Sequence, residues 1–415
     1  MNYEEAVELL KKYNQEQLLD FYNELSESQK KDLLNQISSI NFELMQSLYE
    51  NLYVKTLEEN YIDPIENAVI KNKMSEDDKN KYEEIGTNAI KNGELAICSM
   101  AGGQGTRLGH EGPKGTFVVD IEPPKSIFEI QIDKLKEIYQ KYGIYINWYI
   151  MTSEANNDDT INFFEANNYF GYNSSYVKFF KQGELPLVDF DGKIILQEKG
   201  KIFMAADGNG GIFEALYRNN ILAEMKEKNI KYLCVGNVDN ILIKQVDSLL
   251  IGMMKEKKYH LASKSVPKKS PTERVGVFGR INGKPAVIEY SDIDPEMAKK
   301  TKEDGSLVFL ESHFGCNVFS RELLEKIGRQ KLPYHVARKK NKYIGVNEET
   351  LASLEANTYK FEAFIFDGFM MADDILILQV KREEEFAPIK NKEGEDSPQT
   401  AKELYMNYIT SNNHD

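Results

Sequence analysis

The residues best suited to chemistry begin at Met100-Ala101-Gly102-Gly103-Gln104-Gly105-Thr106-Arg107-Leu108-Gly109, where an apolar run ends in closely spaced glycines. A strand entering such a stretch exposes successive backbone N–H groups, and a following helix adds the positive end of its dipole, which makes a cradle for an anion. Spacing excludes two familiar alternatives. A dinucleotide fingerprint needs G-x-G-x-x-G and a Walker loop needs Gly-Lys-Ser/Thr, whereas here the pattern is Gly103, Gly105, Gly109. Two cations lie close behind, Arg107 within the loop and Lys114 in Gly112-Pro113-Lys114-Gly115, so a polyphosphate can be neutralised from two sides.

Other stretches also have the composition of binding loops. Asp207-Gly208-Asn209-Gly210-Gly211 reads either as a turn into a helix near Ile212 or as bare backbone offered to a ligand. Asp239 closes the apolar run Tyr232 to Val235, which puts its carboxylate at the strand edge where open α/β sheets bind ligands. There it serves as a hard oxygen ligand for a metal or as the cap of a turn. Glu289 and Tyr290 follow the alternating run Pro285 to Ile288. Lys360 and Lys390 are flanked by apolar residues that would fix their stems, unlike most of the 52 lysines and arginines. None of the 5 histidines forms a Ser/His/Asp or Cys/His pattern, so catalysis would rest on positioning and charge stabilisation.

These residues need elements to hold them. Short apolar runs at Glu94 to Met100, Tyr145 to Met151, Tyr232 to Val235 and His260 to Lys264 alternate with helical patterns, clearest at Gln131 to Tyr142 and Ile212 to Lys228. The alternation predicts an α/β fold with a doubly wound, mostly parallel sheet. From Tyr3 to about Ile70 the apolar spacing is helical, and Ser26, Ser28 and Gln29 precede the Leu33 run without a full capping box. Val275 to Ile281 and Pro285 to Tyr290 read as a hairpin about Asn282-Gly283. The polar stretch Lys381 to Ser397 reads as the approach to a small C-terminal subdomain. The expected domains are therefore residues 1–92, helical; 93–375, catalytic, with a β insertion around 270–315; and 376–415.

A chain of 415 residues, 41% hydrophobic, can bury a large core. Its formal net charge of -14 argues against a nucleic-acid partner, which demands clustered Lys and Arg. Three widely spaced cysteines, Cys98, Cys234 and Cys316, read as reduced interior thiols, and an acidic, amphipathic start with no long apolar run predicts a cytoplasmic protein without a membrane segment. Oligomeric state has no signature here.

Met100 to Gly109 followed by Pro113-Lys114-Gly115 resembles the signature of the UDP-sugar pyrophosphorylases, most closely the eukaryotic-type UDP-N-acetylglucosamine pyrophosphorylases. Lys181-Gln182-Gly183-Glu184-Leu185-Pro186, Asp207 to Gly211, Gly236-Asn237-Val238-Asp239-Asn240, Glu289-Tyr290-Ser291-Asp292 and Glu385-Phe386-Ala387-Pro388-Ile389-Lys390 continue the resemblance in family order, from about Gln15 to Ala401. The resemblance implies a Rossmann-like nucleotidyltransferase that joins UTP to a sugar 1-phosphate, N-acetylglucosamine 1-phosphate in the nearest relatives. It implies that Met100, Ala101, Gly102 and Gly103 hold the nucleotide, that Gly208 lies beside uracil with Gln182, and that Asn209 contacts the sugar. Glu289 and Tyr290 would hold sugar hydroxyls, Asp239 magnesium, Lys360 the UTP phosphates and Lys390 the sugar phosphate. Arg107, Lys114 and Lys390 would form the catalytic set.

The sugar pocket departs from the pattern. Relatives carry an Asn-Ala-Gly-Asn stretch where this chain has Leu310-Glu311-Ser312-His313, with Asn317 further on. Neutral imidazole offers one donor and one acceptor at a different reach from an amide. His313 is therefore either a sugar-binding residue or a loop histidine, and glucose 1-phosphate and N-acetylgalactosamine 1-phosphate stand as rival substrates. A sensor that binds a nucleotide sugar without turnover is the rival from another class.

Overall fold

The computed structural model describes residues 1–53, 61–345, 350–352 and 355–412. The chain folds into two compact units, the first made of residues 1–59, 183–211 and 332–364, the second of 60–182, 212–331 and 365–415. The expected boundaries at 92 and 375 do not coincide with these limits, because the strands Ile62–Pro64, Val69–Ile70 and Leu376–Gln379 belong to the large sheet.

The first unit opens with three helices, α1 (Tyr3–Lys12), α2 (Glu27–Ser39) and α3 (Phe42–Glu50). The cap of α2 is a complete capping box, contrary to the sequence expectation. Ser26 Oγ accepts from the Gln29 N–H, and Gln29 Oε1 accepts from the Ser26 N–H at 3.0 Å, which satisfies two of the helix's orphan donors. Leu10, Leu33, Ile37 and Phe42 bury their faces against Val188, Leu196, Ile202 and Phe361. The helical expectation as far as Ile70 fails beyond Tyr61. Residues 54–60 lie outside the described residues, and Ile62–Pro64 and Val69–Ile70 are strands.

The second unit is built on an 11-stranded mixed sheet. Its strands are β1 (Ile62–Pro64), β2 (Val69–Ile70), β3 (Leu95–Met100), β4 (Asn147–Thr152), β5 (Val177–Lys181), β6 (Tyr232–Asn237), β7 (Leu261–Pro267), β8 (Val277–Ile281), β9 (Lys284–Ile288), β10 (Glu311–Ser320) and β11 (Leu376–Gln379). The order is β2-β11-β7-β10-β6-β3-β4-β5, with β8 on β10, and β1 and β9 on β8. Pairs β6–β3, β3–β4, β4–β5, β7–β11 and β2–β11 are parallel, while β10 runs against β6 and β7. A parallel strand covered on both faces must be apolar along its length, and β3, β4 and β6 meet that demand. The expected hairpin is present about Asn282 and Gly283, both with positive φ.

Helices α4 (Glu76–Lys91) and α5 (Ile127–Tyr142) follow the expected pattern, but Ile212 to Lys228 is two helices, α6 (Ile212–Arg218) and α7 (Ile221–Glu227). Asn220 breaks them by taking a left-handed φ of 57°. Helix α8 (Ser248–Glu256) crosses α4 at backbone contact distance. A Cβ on Gly252 would stand 1.8 Å from Tyr82 O, and one on Gly86 1.7 Å from Ser248 O. Only glycine permits this approach at both positions. Replacing Gly252 by valine is expected to cost about 2–3 kcal/mol through forced separation of the helices. Urea unfolding checks this, and an unchanged midpoint would contradict the close contact.

Candidate active site

Parallel pairing gives β3, β4, β5, β6, β7 and β11 a common direction, so their C-terminal ends line one edge of the second unit. Met100, Gln182 and Asp239 come together there. The glycine loop leaves β3 and folds onto itself: Gly105 N–H donates to Gly112 O at 2.9 Å and Lys114 N–H to Gly103 O at 3.0 Å. Gly102 and Gly103 make no hydrogen bond through their own N–H groups among the described residues, so both donors remain for an anion. The Gln182 carboxamide lies against Gly102, 2.8 Å from where a Cβ would stand. Sequence reasoning missed Asn156, a buried residue whose Nδ2 donates to Ala101 O at 2.9 Å and Gly103 O at 3.3 Å. By holding carbonyls it leaves the loop's amides turned to other work. Its only signal is a place just after β4.

Strand β6 runs to Asn237, and Asp239 sits in the turn beyond it instead of closing the strand. Its Oδ2 pairs with Lys114 Nζ at 2.8 Å, both side chains being mostly buried. Asp239 O accepts from the Ile389 N–H at 2.9 Å, which draws the segment ending at Lys390 against the aspartate's turn. Lys390 Nζ is held by Asp396 at 3.1 Å. A further cation was not foreseen: Lys392, whose side chain reaches to 3.9 Å from a Cβ position on Gly109, the last residue of the loop. Arg107 is exposed. Among the described residues no group of three or more His, Cys, Asp or Glu is placed to hold a metal. Asp239 as a lone carboxylate still suits magnesium, which commonly takes one or two carboxylates and completes its shell with phosphate oxygens and water.

Glu289 lies just past β9 near Gly276, and Tyr290 beside it is half exposed. His313 is not a loop residue; it lies on β10. Its ring meets Phe278, Phe366 and Phe369 edge to face, and Nε2 bonds Asn317 Oδ1 at 3.0 Å. Burial drives its pKa down to about 4, against the pull of the Asn317 bond, so the ring is neutral at pH 7.

The remaining expected residues belong to the first unit. Gly208 has φ of 92°, and a Cβ there would stand 2.3 Å from Ala363 O, so glycine is required by the protein's own backbone before any ligand is considered. Gly210 N–H donates to Ala363 O at 2.8 Å, which lays the Gly208-Asn209 turn along the end of the strand Thr358–Glu362. Lys360, on that strand, pairs with Glu362 at 2.6 Å.

Because unfolded His313 protonates near 6.5 and the folded ring only near 4, the unfolded chain binds the extra proton between these values. Stability is therefore expected to fall as pH drops from 6.5 to 4, by on the order of 3 kcal/mol. Denaturation of the His313→Gln variant should show a shallower loss across that window, and an identical slope would contradict the burial.

The family described as UTP–glucose-1-phosphate uridylyltransferase matches residues 41–401. UDP-N-acetylglucosamine diphosphorylase 2 of Arabidopsis thaliana is 34% identical over 97% of this chain and 83% of its own length. UDP-N-acetylglucosamine pyrophosphorylase of Saccharomyces cerevisiae is 36% identical over 80% of this chain and 72% of its own. The uridine diphosphate N-acetylglucosamine pyrophosphorylase of Trypanosoma brucei superposes with a TM-score of 0.82 at 30% identity, covering 97% of this chain and 84% of that one. A matched family over most of the chain, carried on the fold those enzymes share, establishes that this protein belongs to the UTP–glucose-1-phosphate uridylyltransferase family and is a nucleotidyltransferase of the UDP-sugar pyrophosphorylase kind.

Proposed function

We propose that this protein forms UDP-N-acetylglucosamine and pyrophosphate from UTP and N-acetylglucosamine 1-phosphate, in the cytosol. The observation that carries the reading is the Lys114–Asp239 pair at 2.8 Å beside the glycine loop, with the Lys390 segment bonded to the same aspartate's backbone. Relatives above 30% identity that are named for UDP-N-acetylglucosamine support that sugar over glucose.

In the reaction a phosphate oxygen of the sugar 1-phosphate attacks the α-phosphorus of UTP in line. A new P–O bond forms, the bond to the bridging oxygen breaks, and its electron pair leaves on pyrophosphate. The nucleophile is already an anion, so no proton relay is required. Gly102 and Gly103 offer their N–H groups to phosphate oxygens. Arg107 and Lys114 take up charge on the α-phosphoryl group and the departing pyrophosphate, and Lys390 aligns the attacking phosphate. Magnesium, held by Asp239, would add charge neutralisation. Gln182 and Gly208 are assigned to uracil, Lys360 to the UTP phosphates, and Asn209, Glu289, Tyr290 and His313 to the sugar.

Pyrophosphate release from UTP and magnesium, measured in parallel with the three sugar 1-phosphates, tests the reading. N-acetylglucosamine 1-phosphate should give the highest kcat/KM. Lys390→Ala should lower kcat/KM about 100-fold with KM for the sugar phosphate raised, the scale expected when a charge clamp is lost. Release with none of the three would favour the non-catalytic sensor instead.

A further inference from the structure

The residue after the metal aspartate is fully buried and has no part in the reaction above. Asn240 Nδ2 donates to Glu385 O at 2.8 Å, and its Oδ1 accepts from the Ala387 N–H at 2.9 Å. One carboxamide thus bridges the chain just before Lys390, making the pairing that a neighbouring strand would make. Two backbone bonds flank it, Ile241 N–H to Ala387 O at 3.1 Å and Ile389 N–H to Asp239 O at 2.9 Å. The segments 239–241 and 385–389 are therefore zipped residue by residue, with Asn240 opposite Pro388. The Ala387 N–H and the Glu385 carbonyl are thereby satisfied by the Asn240 side chain and not by backbone groups across the pair.

Both halves of the zip are anchored from below. Helix α5 donates Gln131 Nε2 to Asn240 O at 3.2 Å, and Lys134 Nζ to Ile241 O at 2.6 Å and Ile243 O at 2.9 Å. Glu385 ends the short helix α9 (Arg382–Glu385) with its carboxylate on Lys264 Nζ at 2.7 Å. Asp247 takes the same ammonium at 2.7 Å, and the Lys244 carbonyl accepts from it at 2.9 Å. Burial disfavours charge on Lys264, yet the two carboxylates outweigh it and hold its pKa above the ordinary value. A buried, fully paired cation of this kind gives the Glu385 end little freedom to drift.

We propose that Asn240 is a positioning residue that fixes Asp239 and Lys390 to one another, so that metal binding and sugar-phosphate binding are set by one carboxamide. The proposal rests on the roles given above to Asp239 and Lys390. A metal ligand and a phosphate-binding lysine that flank one transferred phosphoryl group must keep their spacing, since a displacement of about 1 Å costs on the order of 100-fold in rate. Asn240 ties the two turns without bonding either functional side chain, which pair with Lys114 and Asp396.

The test compares Asn240→Ala, Lys390→Ala and the double variant in the full-length protein. In Asn240→Ala, the KM for N-acetylglucosamine 1-phosphate and the magnesium concentration at half-maximal rate should rise together, each by about 10-fold, the scale of a lost pair of buried hydrogen bonds. Lys390→Ala should raise the first alone. In the double variant the Asn240 effect on sugar-phosphate KM should vanish, because it acts through Lys390; a purely structural loss would multiply instead. Independent penalties in the double variant, or an Asn240→Ala protein with both constants unchanged, overturn the proposal. If the wild-type protein turns over none of the three sugar phosphates, the reaction assignment falls. The clamp is then read from hydrogen exchange at the amides of Ile241, Ala387 and Ile389, which Asn240→Ala must accelerate together; unchanged exchange at Ile241 and Ile389 would sink it. Should Asn240→Ala not fold, Asn240→Ser carries the same comparisons.

Discussion

A parallel strand cannot return through a tight turn, and the rest of this structure depends on that constraint. Each parallel step from β3 to β4 to β5 requires a crossover through a helix or a long connection, and every such step delivers the chain back to the same side. The glycine loop, Gln182 and the Asp239 turn arrive at one edge of the second unit because of it. Met100, Thr152, Lys181 and Asn237 all end strands that point the same way.

At that edge the chemistry is organised around unequal charge. Lys114 and Lys390 each face a carboxylate, Asp239 and Asp396, whereas the N–H groups of Gly102 and Gly103 have no acceptor among the described residues. The edge thus holds unpaired loop donors and cations kept in place by their own counter-ions. Holding a lysine on an aspartate costs little at a partly exposed site and keeps its long stem from wandering. Asn156 does the corresponding work for the loop by occupying its inward carbonyls. The arrangement suits a reaction whose nucleophile and leaving group are both anions, where pre-organised charge replaces proton transfer.

Burial shapes the surroundings of His313 differently. Strand β10 runs antiparallel between β6 and β7, and Gly315 in its middle takes a φ of 81° beside Asn237. His313, two residues earlier, is ringed by phenylalanines and kept neutral. A neutral imidazole in an apolar frame is a fixed donor and acceptor with no charge to attract phosphate, which separates this part of the unit from the loop and its cations.

Much of this was legible in the residues alone. Short apolar runs identified β3, β4, β6 and β7, because strands buried on both faces tolerate little else. Ordered motifs over most of the chain pointed to the family to which it belongs. What failed was governed by tertiary contact. The stretch from Tyr61 to Ile70 has helical spacing but pairs as strands with partners more than two hundred residues away, and no local pattern records such partners. The glutamine that completes the α2 cap and the asparagine that splits α6 from α7 depended on single backbone geometries. His313 reads as a sugar-binding or a loop residue, and only the pairing of β7 with β10 puts it on a strand. Asn240 and Lys392 gave no local sign of their contacts, and Asn156 only its place after β4, since their partners Ala387, Gly109 and Ala101 are distant in sequence. Residue type and order determined the class of chemistry; only the packed sheet decided which side chains stand beside it, because hydrogen-bond partners far apart in the chain meet only when the strands between them are in place.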